Sequence, residues 1–134
     1  MIKSKQNILN NICRKHGLKL ILLHGSQVSG QVHAKSDLDI AVLPQFPAKK
    51  LDYLNLISDL TDFFHNDQVD LTDLSRADPL LLKLVTDHSR LLAGSKKDLD
   101  KIRLKAFHRY NDYLPYLKQE QQTIKKTFAH YDAD

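Results

Sequence analysis

The sequence predicts a single α/β (α+β) domain, with a small mixed β-sheet, flanking helices and a long C-terminal helix. Three observations lead to this class. Short apolar runs bounded by turn residues, typical of strands, alternate with segments whose apolar residues recur every three or four positions, as in helices. Helical spacing also continues through almost all of residues 95–134. Finally, a length of 134 residues with 42% hydrophobic residues suffices for one core without metal or disulfide staples.

The first half of the chain predicts two helices and two strands. Apolar residues at helical spacing, with a glycine after them as a stop signal, predict a helix over residues 4–16. Buried strands are predicted over 19–24 and 38–43, and residues 27–36 between them are expected to form a short helix or a loop. Two prolines end the second strand. A helix of about four turns follows, traced by Leu51, Leu54, Ile57, Ser58, Leu60 and Phe64.

The next elements are a strand, a helix and a second strand. Residues 69–74 alternate strictly between apolar and polar types, which predicts a half-buried third strand. Asp78 is expected to cap a helix that has Pro79 at its first position. Residues 90–93 predict a short edge strand, ended by Gly94. The apolar residues expected inside the helix are Leu80, Leu81, Leu84 and Val85.

The C-terminal region predicts one long helical segment. Ser95 and Asp98 resemble a capping box at its start. Pro115 should kink or split the helix near Leu114. The apolar and aromatic residues are more numerous than a small sheet can cover, so the part after Pro115 is expected either to dock on a partner or to form a frayed tail.

Composition and charge favour a soluble intracellular protein. A single cysteine, Cys13, excludes an internal disulfide and is typical of a reducing compartment. The longest apolar run, within residues 18–23, is too short to span a bilayer, and no signal peptide is recognisable, so a cytoplasmic location without membrane attachment is expected. The net charge of +4 arises from basic ends around an acidic centre, and such ends are most simply solvated surface.

Gly25-Ser26, ten further residues, and then Asp37-Leu38-Asp39 form the most informative motif. Asp37 and Asp39 are two apart at the start of a strand, so their side chains should share one face. Two such charges repel each other unless a divalent cation lies between them. A Gly-Ser turn offers backbone N–H groups and a hydroxyl to phosphate oxygens. The motif therefore predicts a site for a metal-bound nucleoside triphosphate.

Asp70 is the candidate third carboxylate. In the strand over residues 69–74 it should point away from the face of Val69 and Leu71. If this strand lies beside that of Asp37 and Asp39, three carboxylates meet at one edge of the sheet, as two-metal phosphoryl transfer requires. Asp70 is then also a candidate base for the attacking hydroxyl. The alternative is that Asp70 or the nearby Asp73 is only a turn residue.

Two basic residues near the motif are weaker candidates. Lys35 lies two residues before Asp37 and is a candidate phosphate contact. His24, directly before Gly25, is within reach of phosphate but is expected instead to pack in the core or at the surface.

At these residues the chain resembles the minimal nucleotidyltransferases of the polymerase-beta superfamily, closely over residues 18–94 and loosely beyond. The resemblance implies a nucleotidyltransferase fold and one nucleotidyltransferase domain over residues 1–134, with the C-terminal helical region at 95–134. It implies that Gly25 and Ser26 hold the triphosphate, and that three carboxylates bind Mg²⁺ and carry catalysis, namely Asp37, Asp39 and Asp70. The implied reaction is attack of an acceptor hydroxyl on the α-phosphorus of a nucleotide, with pyrophosphate leaving.

So short a nucleotidyltransferase looks like the antitoxin of MNT/HEPN toxin–antitoxin pairs. That likeness implies transfer of AMP from ATP to a tyrosine of a helical HEPN ribonuclease toxin, which silences it. It implies hetero-oligomer formation with the toxin and no direct binding of nucleic acid. Two alternatives stay open: an antitoxin that acts by steric contact alone, and a nucleotidyltransferase that modifies a small-molecule hydroxyl.

Arg103, four residues, His108, one residue and Tyr110 also reproduce the motif of HEPN toxin active sites. A HEPN domain is a helical bundle about as long as this whole chain, and bundles need several long facing helices. The strand pattern leaves space for only one, so these residues are interpreted as ordinary positions of the C-terminal helix.

Overall fold

A computed structural model describes residues 2–25 and 37–132, without the side chains of residues 2, 3 and 130–132. The predicted class is confirmed: helices flank a small mixed sheet, and the last helix is long. The predicted short helix or loop over residues 27–36 lies outside the described residues. The elements in chain order are α1 (Ile2–Lys15), β1 (Leu18–His24), β2 (Leu38–Pro44), α2 (Tyr53–Phe64), β3 (Val69–Asp73), α3 (Pro79–Asp87), β4 (Arg90–Gly94) and α4 (Lys96–Asp132).

The strands form a four-stranded sheet in the order β3-β2-β1-β4. β1 pairs antiparallel with both β2 and β4, whereas β3 runs parallel to β2. Parallel neighbours need a crossover connection, which α2 supplies. The edge position predicted for residues 90–93 is confirmed, and β3 forms the other edge.

Both faces of the sheet are covered by helices, because the alternating residues of β1 and β2 are apolar on each side. One face packs against α1 and α2, the other against α3 and α4. The buried residues of the α1–α2 face are Leu9, Ile12, Cys13, Leu18, Ile21, Leu23, Leu38, Ile40, Val42, Leu56, Leu60 and Ala93. Those of the α3–α4 face are Leu20, Leu22, Ala41, Leu74, Ala77, Leu82, Val85, Leu99, Ile102 and Ala106.

The helix ends follow the local signals in the sequence. After α1 the chain turns at Gly17, whose φ of +63° is a conformation that glycine adopts readily. The Asp78 carboxylate accepts the Leu81 N–H at 2.8 Å, and Pro79 is the first residue of α3. At the start of α4 the Ser95 hydroxyl accepts the Asp98 N–H at 3.1 Å. The predicted caps of α3 and α4 are confirmed.

The buried face of α2 differs from the sequence prediction. Leu54 is 84% exposed, whereas Leu56 and Leu60 are fully buried. The Asp52 cap starts the helix at Tyr53, so α2 has 12 residues, closer to three turns than to four. Because apolar residues surround most of this helix, spacing alone did not fix which of them face the sheet.

The sequence prediction of the buried face of α3 is right for Val85 and wrong for Leu80, Leu81 and Leu84. Leu82, Val85 and Thr86 are buried, while the neighbouring Leu80, Leu81 and Leu84 are exposed to different degrees. The Thr86 hydroxyl is accommodated because it donates to the Leu82 carbonyl at 2.8 Å.

Helix α4 is continuous over 37 residues and spans about 55 Å. The predicted split near Leu114 is therefore wrong, since Pro115 lies inside the helix. Only its first three turns enter the core, through Leu99, Ile102 and Ala106, and residues 118–129 are all exposed. Although α4 is long, no helix in the described part of the chain has the length and apolar content needed to cross a membrane.

Candidate functional site

The described motif residues Gly25, Asp37 and Asp39 lie with Asp70 at one end of the sheet, which we call the motif edge. β1 ends there at His24, directly before Gly25, and β2 and β3 begin there with Leu38 and Val69. Gly25 has a φ of +79°, which disfavours any residue with a side chain. A Cβ at Gly25 would also collide with the carboxylate of Asp39, lying 3.2 Å from its Cγ. This position therefore requires glycine for its backbone and for the space that Asp39 occupies.

Asp39 and Asp70 are direct register partners across the parallel pair β2–β3. Neighbouring strands are about 4.8 Å apart, and paired residues project on the same face. Ile40, Val69 and Leu71 contact the α1–α2 core, so the two carboxylates project on the α3–α4 side. The prediction that the third strand lies beside the second is confirmed, and it brings Asp70 next to Asp39.

Asp37 directly precedes β2 and is exposed, whereas Asp39 is half-buried and Asp70 is exposed. Within residues 2–25 and 37–132, no three Asp, Glu, His or Cys side chains stand close enough to hold a metal ion as they are placed. The assignment of Asp37, Asp39 and Asp70 as joint metal ligands therefore stays a prediction. The two others proposed to contact the nucleotide, Ser26 and Lys35, lie outside the described residues.

Of the two aspartates that could be turn residues, Asp70 and Asp73, Asp73 is the one that stabilises a turn. Its Oδ1 accepts the Ser75 N–H at 2.9 Å and the Ser75 hydroxyl at 2.6 Å. These bonds stabilise the turn at the opposite end of β3. Asp73 therefore has a structural role, and Asp70 is the carboxylate of β3 that lies at the motif edge.

His24 is a neighbour of the carboxylates that sequence reasoning assigned to ordinary packing. It pairs with Asp39 across β1 and β2, and its ring Nε2 is buried without a hydrogen-bond partner in the described structure. Burial lowers the pKa of His24, although the charges of Asp39 and Asp70 oppose that shift. Burial therefore favours the neutral form of the imidazole over the charged form. The sequence could have indicated the position of His24, because Leu20, Leu22 and His24 are two residues apart along β1 and so share one face of the sheet.

A cleft of about 680 Å³ adjoins Gly25 on the α3 side. Its apolar wall comes from Leu81, Leu84 and Val85 of α3, and His24 and His88 also line it. Sequence reasoning did not find this cleft. The sequence feature that could have indicated the cleft is the number of leucines in α3, which exceeds the number that its buried face accommodates.

The toxin-like motif in α4 has a structural explanation. Arg103 Nε donates to the Thr86 carbonyl at 2.9 Å, and its guanidinium also donates to the Ser89 carbonyl at 3.4 Å. These carbonyls lie at the C-terminal end of α3, where a cation is favoured. Lys83 lies 5.6 Å from the centre of the Tyr110 ring. These contacts support the interpretation of Arg103 and Tyr110 as ordinary helix positions.

Comparison with known proteins decides the family. Residues 6–98 match the family model described as Polymerase beta, Nucleotidyltransferase. The chain belongs to this nucleotidyltransferase family. The match includes all four strands and the motif edge, so the fold implied by the sequence resemblance is confirmed.

Individual relatives of this nucleotidyltransferase are toxin–antitoxin proteins. The protein adenylyltransferase MntA of Shewanella oneidensis is 33% identical over 107 residues, which cover 80% of this chain and 73% of MntA. A crystal structure of a toxin–antitoxin with AMP-PNP matches with a TM-score of 0.69 and 30% identity, over 92% of this chain and 98% of that one. A structure of the tri-AMPylated Shewanella oneidensis HEPN toxin in complex with the MNT antitoxin matches with a TM-score of 0.64 and 28% identity, over 96% and 99% of the two chains.

Proposed function

We propose that this nucleotidyltransferase is a Mg²⁺-dependent antitoxin of the cytoplasm that transfers AMP from ATP to a tyrosine of a HEPN-type toxin. The observation that carries the proposal is the pairing of Asp39 with Asp70 beside Gly25, in a chain one third identical to a protein adenylyltransferase. The structures of related toxin–antitoxin complexes, one with AMP-PNP and one with an AMPylated toxin, support the choice of nucleotide and acceptor.

The residues at the motif edge suit Mg²⁺, which prefers carboxylate oxygens. Asp37, Asp39 and Asp70 would hold it, and burial disfavours the charged form of His24 beside Asp39, which lessens the repulsion between that ring and a metal ion. Because Gly25 has no side chain, the Asp39 carboxylate can lie next to the turn. When bound, Mg²⁺ supplies charge neutralisation and alignment of the phosphates.

The protein groups would act by positioning and by proton transfer. The N–H groups of the turn and the hydroxyl of Ser26 would bind the β- and γ-phosphates, with Lys35 as a further phosphate contact. Asp70 would accept the proton of the tyrosine hydroxyl as its oxygen attacks the α-phosphorus. The new bond joins the tyrosine oxygen to the α-phosphorus. The bond from the α-phosphorus to the bridging oxygen breaks, and pyrophosphate leaves.

The test compares Asp39→Asn with the control Asp100→Asn, which changes an exposed carboxylate of α4. Each variant is incubated with Mg²⁺, ATP labelled at the α-phosphate and the HEPN-type protein encoded by the adjacent reading frame. We expect Asp39→Asn to lower the transfer rate at least about 100-fold, because a bound metal contributes several kcal/mol to such a transition state. The control should transfer at the wild-type rate, and both should unfold at the wild-type temperature within a few degrees.

Labelling that survives Asp39→Asn would refute the assigned site. Toxin that is neutralised equally by wild type and by Asp39→Asn, without label, would favour the steric antitoxin. Label that appears only on an added small-molecule hydroxyl would favour the third alternative.

A further inference from the structure

The distal half of α4 has no role in the fold or in the proposed site. Among residues 107–129 of α4 none is buried, and from residue 118 to 129 every residue is exposed. Large apolar side chains are nonetheless present there, with Ile124 53% and Phe128 63% exposed. Such side chains along about 20 Å of unpacked helix indicate a surface that another molecule covers.

Four large apolar residues and one glutamine are regularly spaced along this part of α4. Leu114, Leu117, Gln121, Ile124 and Phe128 follow each other at intervals of three, four, three and four residues; we call these five residues the distal seam. A spacing that averages 3.5 residues keeps a straight stripe facing a second helix. A sheet or a small ligand would not need this period, so the distal seam points to a helical partner.

The charges beside the seam disfavour an antiparallel pair of two copies of this chain. Lys118 and Lys125 are exposed and each directly follows a seam position, which places both on the same side of the stripe. Two antiparallel copies of the helix would bring these lysines against each other. A helix with an apolar stripe flanked by acidic residues would complement them.

The related complexes indicate which partner this is. The match to the toxin–antitoxin structure with AMP-PNP covers 92% of the chain, so about 11 of its 134 residues stay unmatched. Residues 107–132 number 26, and more than half of them must therefore have a counterpart in that chain. At least part of the exposed helix is thus shared with a protein solved as part of a toxin–antitoxin.

We propose that the distal seam binds a helix of the HEPN-type toxin and holds the toxin while its tyrosine is modified. The inference rests on the proposed function for the identity of the partner. It assigns recognition of the toxin to a surface separate from the carboxylates, so binding and transfer can be measured independently.

The experiment uses the full-length chain and the purified toxin without ATP, so that no transfer accompanies binding. The seam variant is Ile124→Ala with Phe128→Ala. The matched control is Gln119→Ala with Gln122→Ala, which changes exposed residues of the same helix away from the seam. Circular dichroism verifies that both variants keep the wild-type helix content, and sedimentation of the chain alone reports self-association.

We expect the seam variant to bind the toxin at least about 100-fold more weakly, as for two central apolar residues of an interface, and the control to bind as the wild type does. Equal affinity of the seam variant and the wild type would overturn the inference. So would a wild-type chain that self-associates through the seam, because the occupant would then be a second copy.

The same preparations separate this inference from the proposed function. If the seam variant loses toxin binding while the wild type shows no AMP transfer, the docking surface stands and the enzyme assignment fails. If transfer is observed and the seam variant binds normally, the enzyme stands and the docking surface fails.

Discussion

Replacing Gly25 by alanine tests the geometry of the site most directly. At a φ of +79° a side chain costs about 1–2 kcal/mol, partly offset because alanine restricts the unfolded chain. The net loss of unfolding free energy should be about 1 kcal/mol, or about 4 °C in Tm for a chain of this length. The new Cβ would also lie 3.2 Å from Cγ of Asp39 and closer still to its carboxylate oxygen. The carboxylate must then move by about 1 Å, and a displacement of that size can lower the rate about 100-fold.

Gly17→Ala is the matched control for this variant. Gly17 also has a positive φ, +63°, but a Cβ there would have no atom within 4 Å. Both variants should lose similar stability, measured by thermal unfolding, whereas only Gly25→Ala should lose AMP transfer to the toxin. Transfer at the wild-type rate by Gly25→Ala, or an equal loss in both variants, would refute the link between Gly25 and Asp39.

Two further predictions concern stability. The pKa of Asp59 is lowered by hydrogen bonds from His16, at 2.7 Å, and from Lys15, at 2.9 Å. The contribution of this carboxylate to folding stability is therefore present above the unfolded pKa of about 4, and it is lost as the pH falls through the lower folded value. The difference in unfolding free energy between wild type and Asp59→Asn should accordingly shrink below about pH 4 in urea titrations, and a difference that grows there would contradict this. Leu82→Ala, at a fully buried position, should lower the unfolding free energy by about 2–5 kcal/mol. Leu84→Ala, at a position 59% exposed, should change the unfolding free energy little. Equal losses in the two variants would show that the buried face of α3 is misassigned.

Much of the site followed from local sequence signals. Strict alternation over residues 69–74 indicated which face Asp70 takes, and the spacing of Asp37 and Asp39 indicated a shared face. Caps such as Asp78 with Pro79 were equally legible, because they depend on contacts within four residues of the chain.

The remaining features depend on long-range packing. Strand order determines that Asp39 has His24 on one side and Asp70 on the other, and no local pattern encodes that order. The inner faces of α2 and α3 were ambiguous because leucines occupy most sides of both helices. The distinction between Asp70 and Asp73 depended on the hydrogen bonds of Ser75, which spacing does not reveal.

The outermost place of β3 in the sheet has a consequence for turnover. Among the residues that the structure describes, no further strand flanks it, and Asp70 stands open to solvent. The hydroxyl of a large acceptor protein can therefore reach Asp70 from the open side of β3. The modified product would leave along the same route, so its release should depend on the lifetime of the complex between this chain and the acceptor protein.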